Sequence, residues 1–349
     1  MASYIPKDIF RAEAPGLYVA LSHGRTHCVF HGLENQPSSK PIILCVHGIN
    51  AEARIFDKFA EHFAARGRTL LAFDLYGRGY SDGTEEHNNL ELFLGQITEL
   101  LACEEIKAKM NTDVIDIVGS SLGGAIAAGF SARFPDRVRR CVLMAPAGLG
   151  LPSFGKVVQG LFKVPFIGRG LVNLANDARG LDKNMLQSFG NPTHPEVVAY
   201  VQKASERVKY ISDNHPGYLN SFVSTVGHFP LATMQDDFRK LGVSSVPCLA
   251  VWGDKDTVVD FRRDSPALQK LMPKAELFVM EGDGHIDHFI IQPYIDQLHA
   301  KLESFLDRWE GNGEGNVQSE GAASTKTDVQ DVIVTSNNIG AEVVPEGSS

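Results

Sequence analysis

Two patterns of apolar and polar positions alternate along most of the 349 residues. Short apolar runs predict buried strands, and apolar residues recurring every three or four positions predict amphipathic helices. The predicted strands are 17–21, 27–33, 41–46, 69–73, 114–118, 138–144, 247–252 and 276–280, with residues 22–25 as a turn. The predicted helices are 51–66, 90–109, 125–134, 265–271 and 293–309. This alternation favours a mostly parallel sheet with helices on both faces.

The alternation stops between residues 147 and 242, where short helical patterns are broken by Gly and Pro. We therefore expect a core formed by residues 1–146 and 243–309, with a helical cap or lid over 147–242. Residues 310–349 are rich in Gly, Ser, Asn and Glu, so we expect an acidic, disordered tail. The first part of the cap, 151–174, is apolar, and its charges are all basic. It is expected either to pack inward as the roof of a pocket or to contact a lipid surface.

Charge and cysteine content narrow the function classes. The net charge is −9, of which the tail accounts for −6, so the body is close to neutral and we expect no nucleic-acid partner. The cysteines are odd in number and scattered, which favours free core thiols over disulfides or zinc ligands. The five cysteines are Cys28, Cys45, Cys103, Cys141 and Cys248.

No signal peptide or membrane span is evident in the sequence, so a cytoplasmic protein is expected.

The segment Gly119–Gly123 has the pattern G-x-S-x-G between a predicted strand and a predicted helix. A serine in such a sharp turn needs small residues two positions before and after it. This identifies Ser121 as the candidate nucleophile, because a pattern centred on Ser120 would put Val118 and Leu122 where the glycines must be. A serine nucleophile also needs a base, an acid that orients the base, and donors for the oxyanion.

The sequence offers candidates for each of these roles. The backbone N–H groups of Ile49, in the loop after an early strand, and of Leu122, after the nucleophile, are the predicted oxyanion hole. His47 in the same loop is expected to brace it and to transfer no proton. Asp254 and Asp256 both follow a late strand, and the residues alone leave the acid open. His285 follows the next strand among glycines and is the expected base.

His288 is the rival base, lying one helical turn beyond His285. The glycine-rich Gly77–Gly79 lacks the spacing of a phosphate-binding loop and the Walker lysine, so it is expected to be a tight turn that borders the pocket.

Taken in chain order, these motifs resemble the α/β-hydrolase fold. The resemblance rests on His47-Gly48, Asp74–Asp82, Ser121, Asp256 and His285, and it covers about residues 17–309. The resemblance implies that Asp256 is the acid. With a serine at the turn, the chain resembles the esterase and lipase branch of the family. Residues 215–222 loosely resemble monoacylglycerol-lipase-like members. One departure is visible, because the Glu-x-Pro that many relatives carry after the histidine lacks its glutamate here.

The expected function is hydrolysis of a carboxylic ester with a hydrophobic acyl or alkyl part, through an acyl-enzyme on Ser121. The partner is then a small hydrophobic ester, with lipid-surface contact through the cap as a further expectation, and no cofactor or metal is predicted. The same three side chains also serve carbon–carbon bond hydrolases and acyltransferases. A ligand-binding receptor with little turnover is the alternative outside enzymes.

Overall fold

The computed structural model describes residues 6–12, 14–33, 40–150 and 153–308. The predicted tail, 310–349, lies outside the described residues. The described part forms one compact unit around an eight-stranded sheet in the order β1-β2-β4-β3-β5-β6-β7-β8. The strands are β1 Leu17–Leu21, β2 Gly24–His31, β3 Ile43–Val46, β4 Leu70–Phe73, β5 Ile115–Ser120, β6 Val138–Met144, β7 Cys248–Gly253 and β8 Glu276–Met280.

The sheet is mostly parallel, as predicted. Strands β4, β3, β5, β6, β7 and β8 run parallel, while β1 and β2 form an antiparallel pair at one edge. Side chains alternate between two separate apolar cores: Leu44 and Val46 point into one, Ile43 and Cys45 into the other. Helices therefore cover both faces, and the carboxyl ends of the parallel strands meet at one edge, where such sheets bind ligands.

Thirteen α-helices are present in the described residues. They are α1 Asp8–Ala12, α2 Asp57–Ala64, α3 Leu90–Ala102, α4 Glu104–Lys107, α5 Leu122–Arg133, α6 Ser153–Phe162, α7 Pro165–Arg179, α8 Leu181–Leu186, α9 Pro195–Asn214, α10 Gly217–His228, α11 Gln235–Val243, α12 Phe261–Leu271 and α13 Gln292–Leu306. Helices α6–α11 all lie between β6 and β7 in the chain, and we call residues 153–243 the helical segment. The five cysteines are free thiols; four are buried, whereas Cys103 is half-buried and not in the core.

Several predicted boundaries were wrong, and four of them have a clear physical reason. The turn predicted at 22–25 is shorter, because Gly24 takes φ +140° and already pairs with Leu21 in the β1–β2 ladder. The helix predicted over 90–109 breaks at Cys103, whose backbone is extended. The helix predicted over 51–66 begins with a 3₁₀ turn, Ala53–Phe56. The helix predicted from 265 begins four residues earlier, where the Asp260 side chain caps it by accepting the Arg263 N–H.

Candidate active site

The turn between β5 and α5 holds Ser121 in a backbone conformation that non-glycine residues rarely adopt, with φ +55° and ψ −116°. A Cβ atom added to Gly119 would lie 2.2 Å from the carbonyl oxygen of Gly123. One added to Gly123 would lie 2.0 Å from the carbonyl oxygen of Val46. The turn therefore requires both glycines, for the steric reason that the sequence pattern implied.

Asp256 and His285 are paired at the carboxyl ends of β7 and β8. The His285 Nδ1 lies 2.7 Å from the Asp256 Oδ2, and both side chains are buried. The Asp256 Oδ1 accepts the backbone N–H groups of Val258 and Val259 at 2.9 and 3.0 Å, which fixes the carboxylate. The carboxylate thus orients the imidazole and leaves its Nε2 free for proton transfer.

Ser121 and His285 line the same cavity, together with Ile49. In the described part of the chain the Ser121 hydroxyl and the imidazole make no direct hydrogen bond; the hydrogen bond of His285 through Nδ1 is the one to Asp256. Contacts of this kind are often long in unliganded enzymes and tighten when a substrate binds. The structure therefore gathers the candidate nucleophile and the Asp–His pair around one space.

The loop after β3 lies against the nucleophile. A Cβ atom added to Gly48 would lie 3.9 Å from the Ser121 Oγ. The His47 Nδ1 donates to the Gly48 carbonyl at 2.7 Å, and its Nε2 accepts the Leu75 N–H at 3.0 Å. Because the C=O and N–H of a trans peptide point in opposite directions, this contact turns the Ile49 N–H away from His47. Burial lowers the pKa of His47 to about 4, so the ring stays neutral at pH 7.

The second candidate oxyanion donor is the first residue of α5, Leu122, at the positive end of the helix dipole. Among the described residues, neither the Leu122 N–H nor the Ile49 N–H donates to another protein group. Two backbone donors near Ser121 thus have no protein acceptor among the described residues, which leaves both N–H groups available to a ligand.

The cavity has a volume of about 570 Å³, within the range of small-molecule sites. Its walls come from the loops at the ends of β3, β5, β7 and β8 and from the helical segment. Most lining side chains are apolar or aromatic, among them Ile55, Val172, Leu181, Met185, Phe189, Tyr200, Leu219, Phe222 and Phe289. Four asparagines of the helical segment, Asn173, Asn176, Asn184 and Asn220, add amide groups to the wall.

A family model for the α/β-hydrolase fold matches residues 41–290 of the chain. The chain belongs to the α/β-hydrolase family. The match spans well over half of the sequence and includes both strands that precede Ser121 and His285. The resemblance seen in the sequence motifs is thereby confirmed, together with the fold class.

Relatives and solved structures agree with this membership. The chain is 26% identical over 320 residues to an uncharacterized protein of Mycobacterium tuberculosis (strain ATCC 25618 / H37Rv), covering 84% of this chain and 87% of that protein. It is 22% identical over 284 residues to monoacylglycerol lipase ABHD6 of Mus musculus, covering 77% of each. The solved enol-lactonase from Burkholderia xenovorans LB400 has a TM-score of 0.63 at 17% identity, covering 84% of this chain and 100% of that one. Likeness at this identity establishes the fold alone.

Three residues that the sequence offered as alternatives, Ser120, Asp254 and His288, have other positions in the structure. Ser120 ends β5 and lines the cavity, but it is not the residue in the strained turn. The Asp254 Oδ1 accepts the Gly282 N–H at 2.7 Å. It so supports the start of the loop after β8 that carries His285, which we call the histidine loop. The His288 Nδ1 lies 2.8 Å from the Asp283 Oδ2, and His288 does not line the cavity.

Sequence analysis missed the part that Arg78 plays in the site. Its guanidinium is buried and donates to the Ile49 carbonyl at 2.6 Å and to the Thr225 hydroxyl at 3.1 Å. No carboxylate pairs with it in the described ranges, and burial lowers its pKa to about 10, so it remains charged at pH 7. Arg78 therefore links the loop after β3, which carries Ile49, to α10, and it places a positive charge beside that loop. The sequence showed a tight turn but could not show these distant acceptors.

Asp287 joins the histidine loop to the helical segment. Its Oδ2 accepts the N–H groups of Gly284 and Gly190 at 3.0 and 2.9 Å. The His285 N–H in turn donates to the Ser188 carbonyl at 2.8 Å. The glutamate that many relatives carry after the histidine is missing here, and this nearby carboxylate holds the loop by backbone hydrogen bonds.

The described residues contain no cluster of three His, Cys, Asp or Glu side chains arranged to hold a metal ion. Within the same residues, no helix combines the length and the apolar character needed to cross a bilayer.

Proposed function

We propose that the chain is a serine hydrolase that cleaves a carboxylic ester with a hydrophobic acyl or alkyl part. The observation that carries the proposal is the Asp256–His285 pair at 2.7 Å, on the wall of a cavity that Ser121 also lines. A serine in a strained strand–helix turn facing a buried carboxylate–imidazole pair is the arrangement that nucleophilic acyl transfer needs.

The mechanism follows from the roles of these groups. The Ser121 oxygen attacks the ester carbonyl while the His285 Nε2 takes the hydroxyl proton, and Asp256 stabilises the imidazolium that forms. The N–H groups of Ile49 and Leu122 bind the oxyanion of the tetrahedral intermediate. His285 then gives its proton to the departing alcohol oxygen, which leaves an acyl-enzyme on Ser121. Water then attacks the acyl group while His285 takes its proton, and His285 returns that proton to the departing Ser121 oxygen as the carboxylic acid leaves.

The substrate class follows from the cavity wall. A volume of about 570 Å³ lined mainly by apolar and aromatic side chains favours a medium or long hydrocarbon portion. The four asparagines on the wall would suit a polar part of the substrate. The similarity to a protein named monoacylglycerol lipase, at 22% identity, is compatible with this substrate class.

A fluorophosphonate probe tests the nucleophile. We expect labelling of the wild type and of Ser120→Ala, and none of Ser121→Ala. Ser120 is a matched control, because it is the adjacent serine and lines the same cavity. A wild type that is not labelled would contradict the proposal and favour the ligand-binding alternative.

A series of p-nitrophenyl esters of increasing acyl length tests the substrate class. We expect kcat/KM to rise from acetate toward longer chains, because each buried methylene contributes about 0.8 kcal/mol. Turnover of acetate alone would refute the hydrophobic pocket. Labelling of Ser121 without turnover of any ester would instead favour the carbon–carbon hydrolase or acyltransferase alternatives.

A further inference from the structure

Exposed apolar side chains are concentrated on two helices of the helical segment. The described residues include ten large apolar side chains that are substantially exposed, and five of them fall within residues 157–174. Phe166 is 70% exposed, Leu174 65% and Val157 64%. Single exposed apolar residues are ordinary, but such a concentration marks a binding surface. We call the exposed side chains Val157, Leu161, Val164, Phe166 and Leu174 the α6–α7 surface.

These side chains are not needed to pack the helices onto the body. Phe162 is buried, and a Cβ atom added to Gly227 of α10 would lie 2.8 Å from its carbonyl oxygen. A Cβ atom added to Gly168 of α7 would lie 2.5 Å from the Val223 side chain of α10. Helices α6 and α7 thus pack closely on α10 through one face, and their outer face carries a second apolar stripe.

The charge of these helices is opposite to that of the whole chain. Residues 153–179, which include both helices, contain Lys156, Lys163, Arg169 and Arg179 and one acidic residue, Asp177, whereas the chain carries a net charge of −9. Basic residues beside exposed apolar side chains are typical of helices that lie in the interface of an anionic membrane. A symmetric contact with a second copy would set this basic surface against itself, so charge disfavours a dimer as the occupant.

Helix α7 adjoins the cavity. Val172, Asn173 and Asn176 of α7 line it, while Phe166 and Leu174 of α7 are turned outward. A bilayer in contact with the outer face would therefore lie one helix away from the cavity, which Ser121 also lines.

We propose that the α6–α7 surface docks on the surface of an anionic phospholipid bilayer. The apolar side chains enter the region between headgroups and acyl chains, and the exposed Lys163 approaches the lipid phosphates and carboxylates. The docking itself does not depend on the chemistry at Ser121. Only its use, the delivery of a lipid-like ester to the cavity, rests on the proposed function.

Co-sedimentation with extruded vesicles tests the docking. The protein is full-length Ser121→Ala, so that no lipid is hydrolysed, and the vesicles are phosphatidylcholine with or without about 30 mol % phosphatidylserine. We expect binding to the anionic vesicles, weaker binding to phosphatidylcholine alone, and loss of part of the binding at high salt. Absence of binding to anionic vesicles would overturn the proposal, and because no turnover is measured it would leave the proposed hydrolysis standing.

Two double variants locate the surface. Val157→Glu/Phe166→Glu should weaken binding by about tenfold or more. Val243→Glu/Val279→Glu is the control, since it also replaces two exposed apolar residues by Glu but lies outside α6 and α7, and it should bind like the parent. Equal binding by both variants would overturn the assignment.

Two further measurements exclude a folding defect and a second copy as explanations. None of the four substituted residues lines the cavity. With Ser121 restored, both double variants should therefore match the wild type in thermal unfolding temperature and in turnover of a soluble ester. Light scattering measures the oligomeric state. A dimer that Val157→Glu/Phe166→Glu dissociates, in a protein that binds no vesicles, would assign the surface to a second copy and overturn the proposal.

Discussion

The contact between His47 and the Gly48 carbonyl gives the sharpest test of the proposed oxyanion hole. The variant His47→Phe keeps a ring of similar size but removes both hydrogen bonds, the one to Gly48 and the one from Leu75. The Gly48 carbonyl then keeps one donor, the Ala51 N–H at 3.2 Å, so the Gly48–Ile49 peptide and the direction of the Ile49 N–H are less firmly fixed. His47→Gln is the matched variant, because its amide can both donate and accept.

The size of the effect has an upper bound. Loss of one whole oxyanion donor costs about 2.7–4 kcal/mol of transition-state stabilisation. The His47→Phe variant should lose less transition-state stabilisation than this, because Arg78 still binds the next carbonyl, that of Ile49. We expect kcat to fall by about 10- to 100-fold, which is about 1.4–2.7 kcal/mol, with little change in KM. The buried Leu75 N–H loses its acceptor as well, which costs about 1–3 kcal/mol of folding free energy.

Steady-state kinetics on a soluble p-nitrophenyl ester measure both parameters, with active sites counted by fluorophosphonate titration so that unfolded protein does not lower the apparent kcat. His47→Gln should recover part of the loss. The reasoning is refuted if folded His47→Phe keeps the wild-type kcat, or if KM rises while kcat is unchanged. It is also refuted if the Gln variant is no more active than the Phe variant.

Two more predictions test groups around the site and in the core. Arg78→Met should lower kcat about tenfold through the freed Ile49 carbonyl, and Arg78→Lys should recover part of it; equal kcat for all three proteins in the same ester assay would contradict this. Burial lowers the pKa of His47, His215 and His299 to about 4, below the unfolded value near 6.5. The folded state therefore keeps these rings neutral, and the free energy of unfolding is unaffected by them above about pH 6.5 but decreases as the pH falls from there toward 4. Near pH 5, His299→Phe should therefore reduce proton uptake on unfolding by about one, as read from the slope of unfolding free energy against pH; an unchanged slope would show that the ring is not neutral in the fold.

Sequence reasoning succeeded where the constraint is local. The glycines at 119 and 123 predicted the sharp turn at Ser121, because a side chain at either position would collide within the same turn or with the adjacent strand. The apolar runs predicted the strands because a strand buried on both faces has to be continuously apolar. The alternation with helices then brought the ends of the strands, and with them Asp256 and His285, to one edge of the sheet.

Sequence reasoning failed where a partner far along the chain decides the conformation or the role. Arg25 reads as a turn residue by polarity, but its N–H donates to the Asp82 carboxylate 57 residues away and it pairs within β2. Arg78 reads as part of a tight turn, but one of its acceptors, Thr225, is 147 residues away. Side-chain contacts at such separations leave no periodic pattern in the sequence, so only the fold could show them.

The helical segment is attached to the site in two physically different ways. Residues 188–191 meet the histidine loop backbone to backbone: a Cβ atom added to Gly190 would lie 2.5 Å from the Gly282 carbonyl oxygen. Separating them would take two N–H groups from Asp287 and one carbonyl from its donor, at about 1–3 kcal/mol each, a large part of a typical domain's stability. Helix α7 forms its part of the wall with side chains such as Val172, which change rotamer at far lower cost. We therefore expect a long substrate to be accommodated by rearranged side chains on α7, while residues 188–191 stay with His285.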